Sequence, residues 1–258
     1  MYHEVVEDGD PRIAGMGAGD AVYKLDESDF RNHLAAIRKA IGEKPMGRAD
    51  DPVAWGEGTP LFLTFDDGEA SGYTRAAPAL EEHGWRGHFF ITAGQIGKPG
   101  ILTPWQIREL DRRGHLIGTH SLTHPPQMSQ MGWDDLRREW SESVRALEAV
   151  VAHPVTVGSV PGGYYAPRVA EAAALAGIRV LFTSEPTAEI KTVGDCQVLG
   201  RYFVQRGMAP RVSAAFATGH NWSCSKQALA WKARKLAKAA AGGVYASVRE
   251  RLLAAGRT

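Results

Sequence analysis

The sequence predicts an α/β fold: a parallel sheet rolled toward a barrel, with helices outside it. Three observations carry this reading. Short apolar runs alternate with amphipathic stretches of 3.6-residue period. The loops between them are short, so right-handed crossovers set successive strands side by side under a helical layer. Several of the runs also end in polar residues suited to chemistry, and the C-terminal ends of parallel strands converge on one rim.

In order, residues 1–6 read as a short strand and 7–21 as a Gly-rich loop. Asp26-Glu27-Ser28-Asp29 offers caps for a helix to about Ile41, with Phe30, Leu34 and Ile37 as its apolar stripe. Residues 42–58 carry Gly, Pro and Asp punctuation and read as loop. Leu61 to Phe65 is an apolar run of the fully buried kind. A helix follows over 71–83, stopped by Gly84. Strand 87–92 comes next, then a helix opened by Thr103-Pro104 and ended by Gly114. Strand 116–120 precedes the longest helix, between Asp134 and Pro154, where Leu136, Trp140, Val144, Leu147 and Val151 share a face. Residues 155–160 read as strand, 167–176 as helix, 179–184 and 197–204 as strands. The helix-rich end from about Pro210 reads as an appendage on one domain spanning 1–258.

Composition is that of an ordinary globular chain, 44% hydrophobic and 23% charged, with a net charge of +1 that gives no reason to expect nucleic acid. Cys196 and Cys224 have neither disulfide-framework nor metal-site spacing and read as free thiols. No apolar segment approaches the ~20 residues of a membrane span. The opening Met1-Tyr2-His3-Glu4-Val5 has no basic n-region or apolar h-region, so the expected location is cytoplasmic or peripheral to a membrane.

Three constellations carry chemistry. At 64–68, Thr-Phe-Asp-Asp-Gly puts two carboxylates at the mouth of a buried strand, facing opposite ways. Such acids are costly there without a cation, and metal binding supplies one; alone, Asp-Asp-Gly reads first as a helix N-cap and solvated turn. His120 and His124, four apart after another strand, share a face if the segment turns helically and then grip one metal. Two imidazoles and one carboxylate leave open positions, an arrangement suited to zinc or a similar divalent ion. The third is Pro161-Gly162-Gly163, where backbone approaches a ligand closely and N–H groups stay free as oxyanion donors; an ordinary turn is the alternative.

Thr64-Phe65-Asp66-Asp67-Gly68, then His120-Ser121-x-x-His124, then Pro161-Gly162-Gly163, in this order, resemble the polysaccharide deacetylases, the NodB-homology domain of carbohydrate esterase family 4. The likeness spans roughly 59–184, including the Phe-Phe-Ile-Thr strand and the long helix. It implies a distorted (β/α) barrel and metal-dependent removal of N-acetyl groups from amino sugars. By position, Asp66 is the expected general base, Asp67, His120 and His124 the metal ligands, and the Gly162 N–H an oxyanion donor. Many members carry an arginine where Ser159 stands, and an aspartate near a tryptophan where this chain has Phe182-Thr183-Ser184-Glu185. Without a cationic neighbour, the carboxyl of Asp66 is expected to be less depressed in pKa. The family's C-terminal Leu-x-His strand is missing too, and His220 is a poor substitute. Met1-Tyr2-His3 instead resembles the opening of circularly permuted members, which makes His3 the expected general acid.

The remaining histidines read as bland: His33 and His83 solvated on helices, His88 starting a strand, His115 near the rim without a partner, and His153 at a helix end. Trp55, Trp85, Trp105 and Trp133 read chiefly as core, with sugar stacking the alternative. From Lys226 on, Lys232, Arg234, Lys235 and Lys238 with Leu229, Trp231 and Leu236 form a basic amphipathic stretch. It reads as a solvated helix or, alternatively, as a weak membrane-surface contact that would suit a lipid-linked saccharide. The expected partner is a carbohydrate bearing N-acetyl groups. Two rival functions stand beside deacetylation: a glycan-binding pseudoenzyme, and a C–N hydrolase acting on a formyl group or a non-sugar amide. Neither the sugar, the metal nor the oligomeric state is fixed by the sequence.

Overall fold

The computed structural model describes residues 1–44, 46–51, 55, 60–219 and 221–241. Its elements run β1 (Glu4–Val6), α1 (Ala18–Ala21), β2 (Lys24–Asp26), α2 (Glu27–Ile41), β3 (Thr64–Phe65), α3 (Ala77–Glu81), β4 (His88–Ile91), α4 (Pro104–Arg112), β5 (Leu116–Thr119), α5 (Trp133–Val151), β6 (Val157–Ser159), α6 (Pro167–Leu175), β7 (Val180–Phe182), β8 (Ile190–Val193), β9 (Cys196–Leu199), α7 (Pro210–Ala217) and α8 (Asn221–Ala241). His220 and residues 242–258 lie outside the described residues, as do 56–59 at the start of the family-like stretch and the side chains of Lys235, Leu236 and Lys238.

Seven strands form one curled sheet in the order β3-β4-β5-β6-β7-β9-β8, parallel throughout except for β8 against β9. The alternation of strand and helix explains the parallel pairs, since each crossover returns the chain to the same end of the sheet. Both faces are covered, so strands such as His88–Ile91 and Leu116–Thr119 are buried at every position. Within β4 the pleat sorts the residues. Phe90 joins Val157, Val180, Phe182 and Leu199 inside the curl, while Phe89 and Ile91 pack outward with Phe30, Leu80, Ile107 and Leu110.

The N-terminal residues fill the gap beside β3. Tyr2 bridges Phe65 in parallel, its N–H donating to Thr64 O (2.7 Å), while the Asp66 N–H donates to Tyr2 O (3.1 Å). On their other side, the Met1 amino group donates to Tyr202 O (2.8 Å) and the Val204 N–H to Met1 O (3.0 Å). Residues 1–2 therefore stand between β3 and the stretch after β9, so the curl closes as a distorted barrel. Among the described residues β1 itself pairs only with β2, in parallel.

Several elements depart from the sequence reading. The helix expected over 71–83 begins as a π-turn, Gly72–Ala76, because Pro78 lacks the N–H that an unbroken α-helix would use there. The sheet is not wholly parallel: β8 is an exposed edge strand, joined to β9 through Gly194-Asp195, and its exposure removes the apolar period that marks buried strands. β2 is likewise unforeseen. His33 is fully buried, with Nε2 2.8 Å from Met208 O, because α2 is covered by α7 as well as by the sheet. His115 is buried below the barrel, not at the rim, and has partners: Nδ1 accepts from the Gly87 N–H and Nε2 donates to Glu81. Trp85 is core, whereas Trp105 and Trp133 are exposed at the N-terminal ends of α4 and α5. The apolar stripe of α5 is buried as expected, and Glu139 and Ser143 are buried with it.

Candidate active site

Four strand ends, those of β3, β5, β6 and β9, build the site. Asp66 follows β3 and points inward with Thr64, and it is 4% exposed. Such a carboxylate needs compensation, and it comes from Arg201, two residues past β9. The guanidinium forks onto the carboxylate, Nη1 to Oδ1 at 2.7 Å and Nη2 to Oδ2 at 2.8 Å. Its remaining donors reach Thr64 Oγ1, Ser159 Oγ and Thr183 O, and its Cζ lies 5.6 and 5.7 Å from the ring centroids of Phe90 and Phe182. Burial works against ionisation of Asp66, but Arg201 and His120 outweigh it and hold the carboxyl down to about 2. The expected weaker depression is therefore corrected. Ser159 has the small side chain that leaves room for a guanidinium arriving from another strand, and its hydroxyl bonds that guanidinium at 2.7 Å. The signal in the sequence was an arginine inside a stretch read as strand, which, if buried, does not tolerate an unpaired charge.

Asp67 turns the other way on a left-handed backbone (φ 74°). His120 and His124 come to it from the turn after β5. That turn is not helical: Ser121 (φ 66°) and His124 (φ 59°) are left-handed too. Such conformations cost on the order of 1–3 kcal/mol for residues with a Cβ and persist only where surroundings enforce them. Glu139 of α5 enforces them here. Its carboxylate accepts from the Leu122 N–H (3.0 Å), the Thr123 N–H (2.9 Å) and the Thr123 hydroxyl (2.7 Å). The Ser121 hydroxyl accepts from the His124 N–H, and the Ser121 N–H donates to Thr119 Oγ1. Nε2 of His120 and Nε2 of His124 each stand 3.4 Å from Asp67 Oδ1.

Among the described residues, Asp67, His120 and His124 form a group able to hold a metal, with donor atoms all within 4.8 Å of one another. Two chemical observations bear on the fit. A tetrahedral ion with bonds of about 2.0–2.2 Å has donors about 3.4 Å apart, as these Nε2–Oδ1 pairs are. The His120 Nδ1 lies 2.9 Å from Ser159 O; a carbonyl only accepts, so Nδ1 carries the proton and Nε2 keeps a lone pair toward Asp67. Burial opposes the charge on Asp67, yet the two imidazoles keep its carboxyl well below the usual range, and Asp67 in turn raises His124. The donor set and its geometry fit a divalent cation.

His3 also reaches this site. Its ring lies tilted, 4.5 Å from that of Tyr23, and feels the charges of Asp67, Asp66, His120 and Arg201, while burial lowers its pKa. Among the described residues its Nδ1 is buried without a hydrogen-bond partner, and none of their carboxylates fills the tuning role of the aspartate absent near Ser184. Gly162 (φ 66°) and Gly163 (φ 72°) form the turn after β6. A Cβ on Gly162 would stand 2.7 Å from Pro126 O, so only glycine fits against the stretch following His124.

A curled α/β sheet with this constellation at its strand ends defines a class, and comparison with known proteins names it. Residues 56–181 match the family model described as polysaccharide deacetylase. YxkH of Bacillus subtilis (strain 168) is 27% identical over 156 residues, 60% of this chain and 55% of that protein. The chitooligosaccharide deacetylase of Sinorhizobium fredii is 32% identical over 136 residues, 50% of this chain and 59% of that protein. The chain spans about half the length of the curated relatives it matches. In fold, the Streptococcus pyogenes deacetylase PplD, solved with acetate, aligns with TM-score 0.68 and 19% identity over 82% of this chain and 93% of that one. Among the described residues, no helix is long and apolar enough to cross a membrane.

Proposed function

We propose that this protein is a metal-dependent hydrolase that removes N-acetyl groups from an amino sugar in a polysaccharide, an oligosaccharide or a lipid-linked glycan. One observation carries the reading: Asp67, His120 and His124 close on a common point beside a second carboxylate, Asp66, that Arg201 keeps ionised. A divalent ion held by those three residues, zinc by its donor set, would polarise the amide carbonyl and lower the pKa of a bound water.

The chain's own groups supply the rest. Asp66, fixed in orientation by the Arg201 fork, takes the proton of the attacking water. The Gly162 N–H donates to the oxyanion of the tetrahedral intermediate. His3 gives a proton to the leaving amine; burial, which disfavours its charged form, makes that proton easy to release. The names of the Sinorhizobium and Streptococcus relatives support deacetylation over a formyl or non-sugar amide substrate, and the intact donor set opposes a pseudoenzyme.

The experiment is free acetate release from N-acetylated chitooligosaccharides, with chelator and with zinc added back. Release that chelator stops and zinc restores supports the reading. Glycan binding without acetate would leave the pseudoenzyme, and release unaffected by chelator would remove the metal.

A further inference from the structure

Helix α8 reaches the catalytic rim from outside the sheet. The edge of the Trp231 indole fills the space that a side chain on Gly163 would need: a Cβ built there would stand 2.9 Å from Trp231 Cη2, with Ser184 Cβ 3.6 Å away. The ring is thus wedged against the turns that follow β6 and β7. One helical turn earlier, on the same face, Gln227 pins the backbone of Phe203 from both sides. Its Oε1 accepts from the Phe203 N–H (3.0 Å) and its Nε2 donates to Phe203 O (2.9 Å), both bonds buried. The Phe203 ring lies 6.4 Å from that of Trp231, and Phe203 is two residues from Arg201.

Among the described residues, the Trp231 Nε1 is buried without a hydrogen-bond partner, and an unpaired buried indole N–H carries a cost that phenylalanine would not. What the indole provides is a broad, rigid plate against backbone. The Gly162-Gly163 turn needs one, because two successive glycines leave it the most permissive stretch of the rim. Pro126 O limits the turn on one side, and Trp231 limits it on the other.

We propose that Trp231 and Gln227 are positioning residues for the hydrolytic site: α8 holds the Gly162 N–H where the oxyanion forms and the strand end that carries Arg201 in register with Asp66. This inference rests on the function proposed above and deepens it, by making the C-terminal helix part of the machinery.

The test uses the full chain with zinc and N-acetylated chitooligosaccharide. For Trp231→Ala, kcat should fall by about 10–100-fold, less than the roughly 10²–10³ for outright removal of an oxyanion donor, with KM and bound zinc unchanged. Trp231→Phe should recover most of that loss, and Gln227→Met, which keeps the length but not the hydrogen bonds, should lower kcat likewise. Amide exchange at 162–164 should quicken in Trp231→Ala, a readout that stands even if the wild type releases no acetate. Wild-type kcat and unchanged exchange in both α8 variants would overturn the inference. Loss of zinc, or a fall in kcat that follows melting temperature equally in the Ala and Phe variants, would reduce α8 to a structural role. Absence of acetate release by the wild type strikes the proposed function itself, and is thereby told apart.

Discussion

The two sides of the candidate site aim their side chains by different means. On the side of β3 and β5, short side chains are directed by strained backbone: Asp67, Ser121 and His124 all sit in left-handed conformations, and Glu139 braces the turn from behind. On the side of β9 and the N-terminal stretch the described backbone has no such outliers, and one long side chain, that of Arg201, does the reaching. A metal cage tolerates errors of tenths of an ångström, so its donors come from turns with little freedom. A guanidinium at the end of a flexible stem is less exacting about where its strand begins. One side is therefore built for precision, the other for electrostatic support.

That contrast can be broken from either side. The largest effect is expected at His3: His3→Ala should slow turnover by about 10²–10⁴-fold, the range for a general acid, with bound metal unchanged. Loss of metal in that variant would move His3 across to the precision side. Next, Glu139→Ala should weaken metal affinity about 10–100-fold, as outer-shell partners do, read by competition with a chelating dye. Unchanged affinity would mean that the left-handed turn holds itself.

On the supporting side, Arg201→Met should leave metal affinity near wild type but raise the pKa of Asp66, moving the acidic limb of the kcat/KM profile to higher pH. The pair is buried at both ends, side chains 4% and 3% exposed, and such pairs add little net stability, whereas removing one partner costs about 3–5 kcal/mol. A melting-temperature drop should accompany the pH shift. An unmoved limb would show that Asp66 does not depend on Arg201 for its charge.

The smallest effect lies away from the rim. Burial lowers His88 and His115 to about 4 each. A folded pKa below the unfolded value of about 6.5 means that the unfolded chain binds the proton more tightly. Their contribution is thus complete above about pH 6.5 and is lost as pH falls toward 4. Denaturation midpoints should decline across that window, and His88→Gln with His115→Gln should flatten the decline.

The same contrast explains what could be read in advance. Asp66-Asp67-Gly68 and His120-x-x-x-His124 were visible because each is a compact local pattern at the end of a strand. The buried strands and the amphipathic α5 were legible because burial imposes a period. Arg201 was not, since its partner lies 135 positions away and nothing local marks it except a charge in an apolar run. Glu139 was hidden within an apolar helix face, where its three hydrogen bonds depend on a loop that the helix meets only in three dimensions. β8 escaped because an exposed edge strand carries no apolar alternation. The helical geometry expected for the two histidines was the wrong guess about a turn held from outside.

The seam beside Tyr2 has a consequence for how the protein is made. Met1 meets Tyr202 across 201 positions of chain, while Tyr2 meets Phe65 across far fewer. Closing the longer loop costs only about 1 kcal/mol more than the shorter one, so the seam is sound at equilibrium, yet contacts so distant form late. During synthesis residues 67, 120 and 124 all leave the ribosome before residue 201, so the residues able to hold a metal are made before the arginine that forks onto Asp66.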